Sequence, residues 1–192
     1  MWSLPENEFS PDDRRAMLAL ARNAILTTLN ATPLNLAGTE RACFSLRRGA
    51  FVTLEVCEKL RGCIGVIEAQ DPLLETIVHC AQSAALRDPR FPPLQLKELL
   101  GLQIEISVLS ALAPINPQNV EIGKHGLVVS TEEMRGLLLP QVATENHLSR
   151  EEFLEETCRK AGLPRGAWRE PQTKVFAFTC EVFQEDSDVP SH

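Results

Sequence analysis

The sequence predicts an α+β fold with a mainly antiparallel sheet and helices on its flanks. Strand patterns come before, between and after the helical patterns, and their close spacing favours hairpins over parallel crossovers. No Gly/Ser-rich linker separates two independent halves. At 192 residues, 44% of them hydrophobic, the chain can bury a core of its own. We therefore expect residues 1–192 to form a single domain, built either as one body or as two interlocked lobes. Residues 186–192 are expected to be a short polar tail.

Each predicted helix begins at a capping signal and continues as a pattern of apolar residues at helical spacing. A hydroxyl or carboxylate at the N-cap accepts from the first free backbone N–H groups, and a proline is tolerated in the first turn. In the last of the helices, Ser149 and Glu152 have the spacing of a capping box. The helices are predicted from Ser10 to about Asn30, from Asp71 to about Arg87, and from Ser149 to Gly162.

The strand predictions rest on period-two alternation and on turn residues. Leu102–Leu109 alternates strictly, so its even-numbered residues should face a core. Ala42–Arg47 and Phe51–Cys57 are predicted to form a hairpin joined at Arg48–Gly49. A tight turn at Gly123–Gly126 is predicted to join two short strands, 120–122 and 127–129. The remaining predicted strands are Cys63–Ile67 and Lys174–Phe183.

Composition narrows the class of function. A formal charge of -7, from 26 acidic and 19 basic residues, repels phosphate backbones and disfavours nucleic-acid binding. The sequence shows neither a secretory signal nor an apolar run of membrane-spanning length, so we expect a cytoplasmic protein. Its six cysteines should then be free thiols. None of them forms a C-x-x-C pair. His79 and Cys80 could bind a metal together with Cys63, but they lie in a predicted helix whose apolar face includes that region, so we expect no metal. We also expect no cofactor.

The segment Leu60–Gly65, of sequence LRGCIG, is the predicted working centre and is interpreted as a loop. Glycines at 62 and 65 permit close approach of a ligand, and the cation of Arg61 favours a thiolate at Cys63. These properties suit a nucleophile. The alternative is structural: Gly62 and Gly65 make a tight bend or bulge, and Cys63 is a small buried filler.

Other residues complete this candidate site. His125, in the turn, can take a thiol proton, and Glu105 can orient the imidazole or act as an acid. Arg90 presents a planar fork to an anion. Each of the three also has a structural interpretation. His125 can simply occupy a tight turn, Glu105 can be solvated or paired with an arginine, and Arg90 can pair with Asp88 or a neighbouring glutamate. The predicted catalytic residues are thus Cys63, His125 and Glu105, and the predicted substrate-binding residues are Arg61, Gly62, Gly65 and Arg90.

The chain resembles the AMMECR-type domain family through this hexapeptide and a series of ordered motifs. The motifs are Asp88–Phe91, Glu105–Leu109, Gly123–Leu127, Leu137–Val142 and Lys160–Leu163, and they cover nearly the whole chain. The sequence departs from the family where a glycine often precedes the leucine of the hexapeptide, because Cys57–Lys59 stands here. The resemblance implies a two-lobed α+β fold, and a Memo-like protein and a radical S-adenosylmethionine protein as partners.

Two hypotheses of function follow. In the first, the chain is an enzyme that uses Cys63 as a nucleophile or thiol carrier on a small anionic substrate. In the second, it is a non-catalytic binding or adaptor module, whose segments Leu60–Gly65 and Asp88–Leu94 form a rigid docking surface for a partner protein. The first predicts that Cys63 is reactive and essential. The second predicts that Cys63→Ser is tolerated, while changes at Arg90 or Phe91 weaken binding.

Overall fold

The computed structural model describes residues 8–185, which form two compact units. One unit, the sheet A unit, takes residues 8–109 and 181–185, and the other, the sheet B unit, takes residues 110–180. The predicted polar tail at 186–192 lies outside the described residues. Among residues 8–185, none of the helices combines the length and the apolar character that crossing a bilayer requires.

Helices and strands are interspersed along residues 8–185. The helices are α1 (Pro11–Leu29), α2 (Leu73–Leu86), α3 (Pro140–Glu145) and α4 (Arg150–Lys160). The strands are β1 (Ala50–Val56), β2 (Lys59–Val66), β3 (Leu102–Leu109), β4 (Ala113–Pro114), β5 (Gly126–Ser130), β6 (Arg135–Leu138), β7 (Lys174–Phe178) and β8 (Cys180–Gln184). The α+β class is confirmed, with two antiparallel sheets where the sequence suggested one.

The sheet A unit is a four-stranded sheet in the order β2-β1-β3-β8, packed on α1 and α2. Strand β1 is antiparallel to both neighbours, and the register sets Thr53 opposite Cys63 on one side and opposite Glu105 on the other. Residues of alternate parity, such as Val52 and Leu54, are fully buried in the core beneath the helices. Cys63, Thr53 and Glu105 therefore share the opposite face.

The sheet B unit is a four-stranded sheet in the order β4-β7-β5-β6, with α4 packed on it. Its core joins Leu127 and Val129 of β5 and Ala177 of β7 to Phe153 and Leu154 of α4. Helix α4 begins at a complete capping box between Ser149 and Glu152, as predicted.

The predicted hairpin at Arg48–Gly49 is wrong. Ala42–Ser45 is a 3-10 helix, so the predicted strand Ala42–Arg47 does not form. The first hairpin is β1–β2, in which Val56 pairs with Lys59 across a two-residue turn. Both turn residues, Cys57 and Glu58, have positive φ angles of 51° and 59°, which a hairpin turn of type I′ requires.

Candidate functional site

The hexapeptide LRGCIG lies within strand β2, so its interpretation as a loop is wrong. Strand β2 is an edge strand of sheet A, and the register with β1 shifts between Leu54 and Glu55, opposite Gly62 and Leu60. Arg61 is thus the extra residue of a β-bulge. Neither Gly62 nor Gly65 has a positive φ angle. The glycines must therefore serve packing instead of a bend.

Each glycine gives room to a different neighbour. A Cβ at Gly62 would lie 2.1 Å from the carbonyl oxygen of Ala84, so glycine here lets helix α2 approach the sheet. A Cβ at Gly65 would lie 2.1 Å from the ring of Phe51, its partner across the strands. Gly62 therefore belongs to the helix-covered face, and Gly65 belongs to the face that carries Cys63.

Cys63 is a half-buried free thiol, so it is no buried filler. The hydroxyl of Thr53 on β1 donates to its sulfur, with Oγ1 and Sγ 3.3 Å apart. A donor at this distance stabilises negative charge on sulfur. The pattern of the sequence places both residues in strands, but the contact depends on the register between the strands.

Glu105 occupies the same row of the sheet, on the far side of Thr53 from Cys63. Burial, followed by the negative charge of Glu55, raises the pKa of its carboxyl above the ordinary value. Among the hydrogen bonds between residues 8–185, none involves the side chain of Glu105. A half-buried carboxyl that the fold does not use is available for proton transfer.

A clamp of Asp88 and Arg90 holds the outer edge of β2 at Cys63. The backbone N–H of Cys63 donates to Asp88 Oδ2 at 2.9 Å, and Arg90 Nη2 donates to the carbonyl oxygen of Cys63 at 3.1 Å. Arg90 also donates two hydrogen bonds to the Asp88 carboxylate, from Nε to Oδ1 at 2.9 Å and from Nη2 to Oδ2 at 2.7 Å. The clamp satisfies both backbone groups of an edge residue that has no further strand beside it.

The electrostatics of the clamp follow from this geometry. Hydrogen bonds from Arg90 are the main cause that holds the pKa of Asp88 well below its usual range, and the N–H of Cys63 adds to the effect. The Asp88 carboxylate, followed by smaller contributions that include the Cys63 thiol, raises the pKa of Arg90. The side chain of Asp88 is 2% exposed, whereas that of Arg90 is 53% exposed. The structural alternative for Arg90, pairing with Asp88, is thus confirmed. The guanidinium group of Arg90 is still partly exposed to solvent.

Arg61 forms a second ion pair, with Glu98 of the 3-10 helix Leu96–Gly101. Its Nε and Nη2 donate to the two carboxylate oxygens at 2.7 and 3.2 Å, and Nη2 also donates to the carbonyl oxygen of Pro93. This bridge lowers the pKa of Glu98. The pair ties the start of β2 to that 3-10 helix, so the structure gives Arg61 a role in the fold.

His125 belongs to the sheet B unit, where it is buried at the start of β5. Its Nδ1 accepts a hydrogen bond from the backbone N–H of Glu121 at 3.0 Å. This bond requires a neutral ring that carries its proton on Nε2. Burial is the main cause that lowers the pKa of His125. The turn thus uses the imidazole, and its role as a base for Cys63 stays a prediction.

Sequence reasoning missed Thr53 and gave Asp88 only the role of a partner for Arg90. Thr53 lies in a predicted strand, but nothing local indicates which residue of another strand it faces. Asp88 carries a stronger signal, because an Asp-Pro-Arg sequence in a stiff loop often places a carboxylate and a guanidinium together. Its contact with Cys63, 25 positions away, is set by the tertiary structure.

Comparison with known proteins gives close relatives over most of the chain. Residues 18–183 match the model of the AMMECR1 family. A protein of Methanothermobacter thermautotrophicus is 43% identical over 185 residues, which cover 92% of this chain and 96% of that protein. A protein of Aquifex aeolicus is 39% identical over 181 residues, covering 90% and 93%. The crystal structure of uncharacterized protein PH0010 from Pyrococcus horikoshii has a TM-score of 0.71 at 38% identity, covering 88% of this chain and 90% of that one.

Proposed function

The chain belongs to the AMMECR1 family, and from that premise we propose that it performs thiol chemistry at Cys63 on a small anionic substrate. The observation that carries the proposal is one row of sheet A, in which Cys63, Thr53 and Glu105 lie side by side on the face away from the helices. A half-buried thiol and a carboxyl that makes no hydrogen bond among the described residues flank a hydroxyl. Such groups suit covalent catalysis better than they suit packing.

The chemistry uses these groups in fixed roles. The thiolate of Cys63 attacks an electrophilic carbon of the substrate, so that a sulfur–carbon bond forms and the bond to the leaving group breaks. Glu105, whose pKa is raised by burial, holds a proton to higher pH than a solvated glutamate does and delivers it to the leaving group. Adjacent strands are about 4.8 Å apart. The reacting carbon therefore lies above Thr53, between the two groups.

Arg90 supplies the anion preference. Its Nε and Nη2 are held by Asp88 and by the carbonyl oxygen of Cys63, while Nη1 makes no hydrogen bond within residues 8–185. A carboxylate or phosphate at this exposed donor would sit beside the thiol. The clamp fixes the guanidinium in advance, which reduces the entropy that binding an anion would cost.

The remaining predicted substrate-binding residues support the site from behind. Gly62 allows helix α2 to pack closely against the strand, and Gly65 leaves room for the ring of Phe51. Arg61 forms an ion pair with Glu98. We propose that they hold β2 in place and do not contact the substrate. His125 is left out, because its Nδ1 already accepts from Glu121.

Alkylation of Cys63 by a matched pair of electrophiles tests the proposal. Iodoacetate and iodoacetamide differ mainly in charge, and peptide mass spectrometry measures the rate at each cysteine separately. The exposed thiol of Cys57 serves as a reference within the same molecule, and Cys63→Ser confirms the assignment. Beside Arg90, Cys63 should favour iodoacetate over iodoacetamide about fivefold more than Cys57 does, the effect of one partly screened charge.

Variants at Arg90 separate charge from structure. Arg90→Gln should abolish the preference for iodoacetate, Arg90→Lys should keep most of it, and 1 M KCl should suppress it in the unmodified chain. A Cys63 that reacts in the folded chain no faster than background would reject the enzyme proposal. So would equal preferences at Cys63 and Cys57.

A specific surface feature supports the adaptor function as the second candidate. Leu96 is 52% exposed and Leu100 is 99% exposed, on the same 3-10 helix that Arg61 and Glu98 tie to β2. Two leucines this exposed on one short 3-10 helix form a candidate apolar docking surface. We propose the Memo-like protein as the partner, with calorimetry on the two purified proteins as the test. Leu100→Ser should weaken binding, whereas Cys63→Ser should not, and no heat of binding at all would reject this candidate.

A further inference from the structure

We infer that Thr53 is a positioning residue whose single hydroxyl proton is shared between the Cys63 thiol and the Glu105 carboxyl. The inference rests on the proposed function at Cys63 and extends it, because it names the group that couples thiol reactivity to the state of Glu105. Thr53 donates to Cys63 Sγ at 3.3 Å and stands directly opposite Glu105 in the register of β1 and β3.

The spacing of the sheet allows the coupling. Directly opposite residues of an antiparallel pair have Cβ atoms about 5 Å apart, so the carboxyl of Glu105 can reach the Thr53 hydroxyl through one rotation or one water molecule. A hydroxyl donates one hydrogen bond and accepts others at the same time. When Glu105 carries its proton it can donate to Thr53, which leaves the hydroxyl proton on the sulfur. When Glu105 is ionised, it competes with the sulfur for that proton.

Charged groups on several other elements lie near this row. Strand β1 contributes Glu55, whose charge raises the pKa of Glu105 after burial. The loop after α2 contributes Asp88 and Arg90 at the edge, and the bulge contributes Arg61 with Glu98.

The neighbouring strand β8 and its end add two carboxylates that are paired with helix α1. Glu185 accepts from the backbone N–H of Ile104 at 3.1 Å and pairs with Arg22, and Glu181 pairs with Arg14. On β8, Phe183 packs in the core, so Val182, Gln184 and the titratable thiol of Cys180 alternate onto the Glu105 face. Helix α2 presents the thiol of Cys80 from the core side, where burial is the main cause that raises its pKa to about 11. Glu105 is therefore the carboxyl that faces Thr53 directly.

The test is the rate of Cys63 alkylation by iodoacetamide between pH 5 and 9 in matched variants. Thr53→Val keeps the shape of the side chain and removes the hydroxyl, whereas Thr53→Ser keeps the hydroxyl. A complete hydrogen bond to the thiolate is charge-assisted and should speed the reaction about 25-fold. Because ionised Glu105 competes for the Thr53 proton at pH 7, only part of this gain is present there, so Thr53→Val should slow the reaction of Cys63 about fivefold. Thr53→Ser should stay within about twofold of the unmodified chain, because its donor remains.

Glu105→Gln gives a change of opposite sign. An amide donates to Thr53 permanently, as the protonated carboxyl does, so Cys63 should react about fivefold faster at pH 7. Combining the changes measures the coupling. In the Thr53→Val background, Glu105→Gln should change the rate by only about twofold, the through-space effect of a charge about 10 Å away.

The outcomes separate this inference from the proposed function. If Cys63 is inert in the folded chain, the proposed function fails. If Cys63 reacts but Thr53→Val and Thr53→Ser behave alike, or if Glu105→Gln acts equally in both backgrounds, the role of Thr53 is refuted. Circular dichroism checks that each variant is folded, and Thr53→Ala replaces Thr53→Val as the variant without a hydroxyl if the valine disturbs the strand.

Discussion

Gly62→Ala should strongly destabilise the protein, because the added methyl group would meet the backbone of helix α2. A Cβ there would lie 2.1 Å from the carbonyl oxygen and 3.0 Å from the carbonyl carbon of Ala84. Both atoms are helix backbone, so no side-chain rotation relieves the clash. Helix α2 would have to move away from β2 by roughly 1 Å, which loosens a close-packed core.

The magnitude follows from the packing on both sides of the contact. Overpacking a core costs about 1–3 kcal/mol, and rigid neighbours place a site at the upper end of this range. Helix α2 buries Ile77, Cys80, Ala81 and Ala84 almost completely against the sheet, so a shift of the helix disturbs all of them. We expect the free energy of unfolding to fall by about 3 kcal/mol, which lowers the urea midpoint by about 1.5 M at a slope near 2 kcal/mol/M.

Urea unfolding followed by far-UV circular dichroism measures this loss, and Gly101→Ala is the matched control. A Cβ at Gly101 would meet only Val56 at 3.8 Å and Cys57 at 3.9 Å, which are ordinary contacts. That variant should lie within about 0.5 kcal/mol of the parent chain. If Gly62→Ala unfolds at the same urea concentration as Gly101→Ala, helix packing is not the reason for glycine at position 62.

Three further predictions concern the surroundings of the site. Gly65→Ala should cost about 1–2 kcal/mol in urea unfolding, less than Gly62→Ala, because the obstacle is the ring of Phe51, which can turn. Asp88→Asn should cost about 2 kcal/mol at pH 7 through the Arg90 clamp. Since the pKa of Asp88 is lowered on folding, its stabilisation is present above about pH 4 and declines as the pH falls further, so the difference between parent and variant should shrink there. The pKa of His125 is also lowered, so the folded chain should lose stability as the pH falls below about 6.5, and His125→Gln should flatten that decline in urea titrations from pH 7.5 to 5.

The features that the sequence predicted well are local. Ser10 accepts from the backbone N–H of Asp13 and begins α1, and Ser149 does the same for α4. Each helix signal needs only four consecutive residues to be recognised. The strict alternation of Leu102–Leu109 likewise predicted the bounds of β3. A strand with one buried face alternates apolar and polar residues, and this pattern is visible in the sequence of the strand itself.

The sequence predictions failed where a non-glycine residue takes an unusual backbone conformation, or where the pairing between strands determines the structure. The β1–β2 turn uses Cys57 and Glu58 at positive φ, which sequence rules assign to glycine or asparagine. The predicted strand Lys174–Phe183 divides at Thr179 into β7 and β8, which belong to different sheets. The row of Cys63, Thr53 and Glu105 depends on two registers between strands, and a shift of one residue would place every side chain on the other face.

The structure also explains why the hexapeptide supported both a functional and a structural interpretation. A strand presents successive residues to opposite faces, so alternate residues of LRGCIG have different roles. Gly62 and Ile64 face the core, where glycine admits α2 and isoleucine packs against the core cluster. Cys63 and Gly65 face the other side, with the thiol beside Thr53. Glycine at 62 is therefore a packing requirement that says nothing about chemistry, and the chemical argument rests on Cys63 and the residues across the sheet from it.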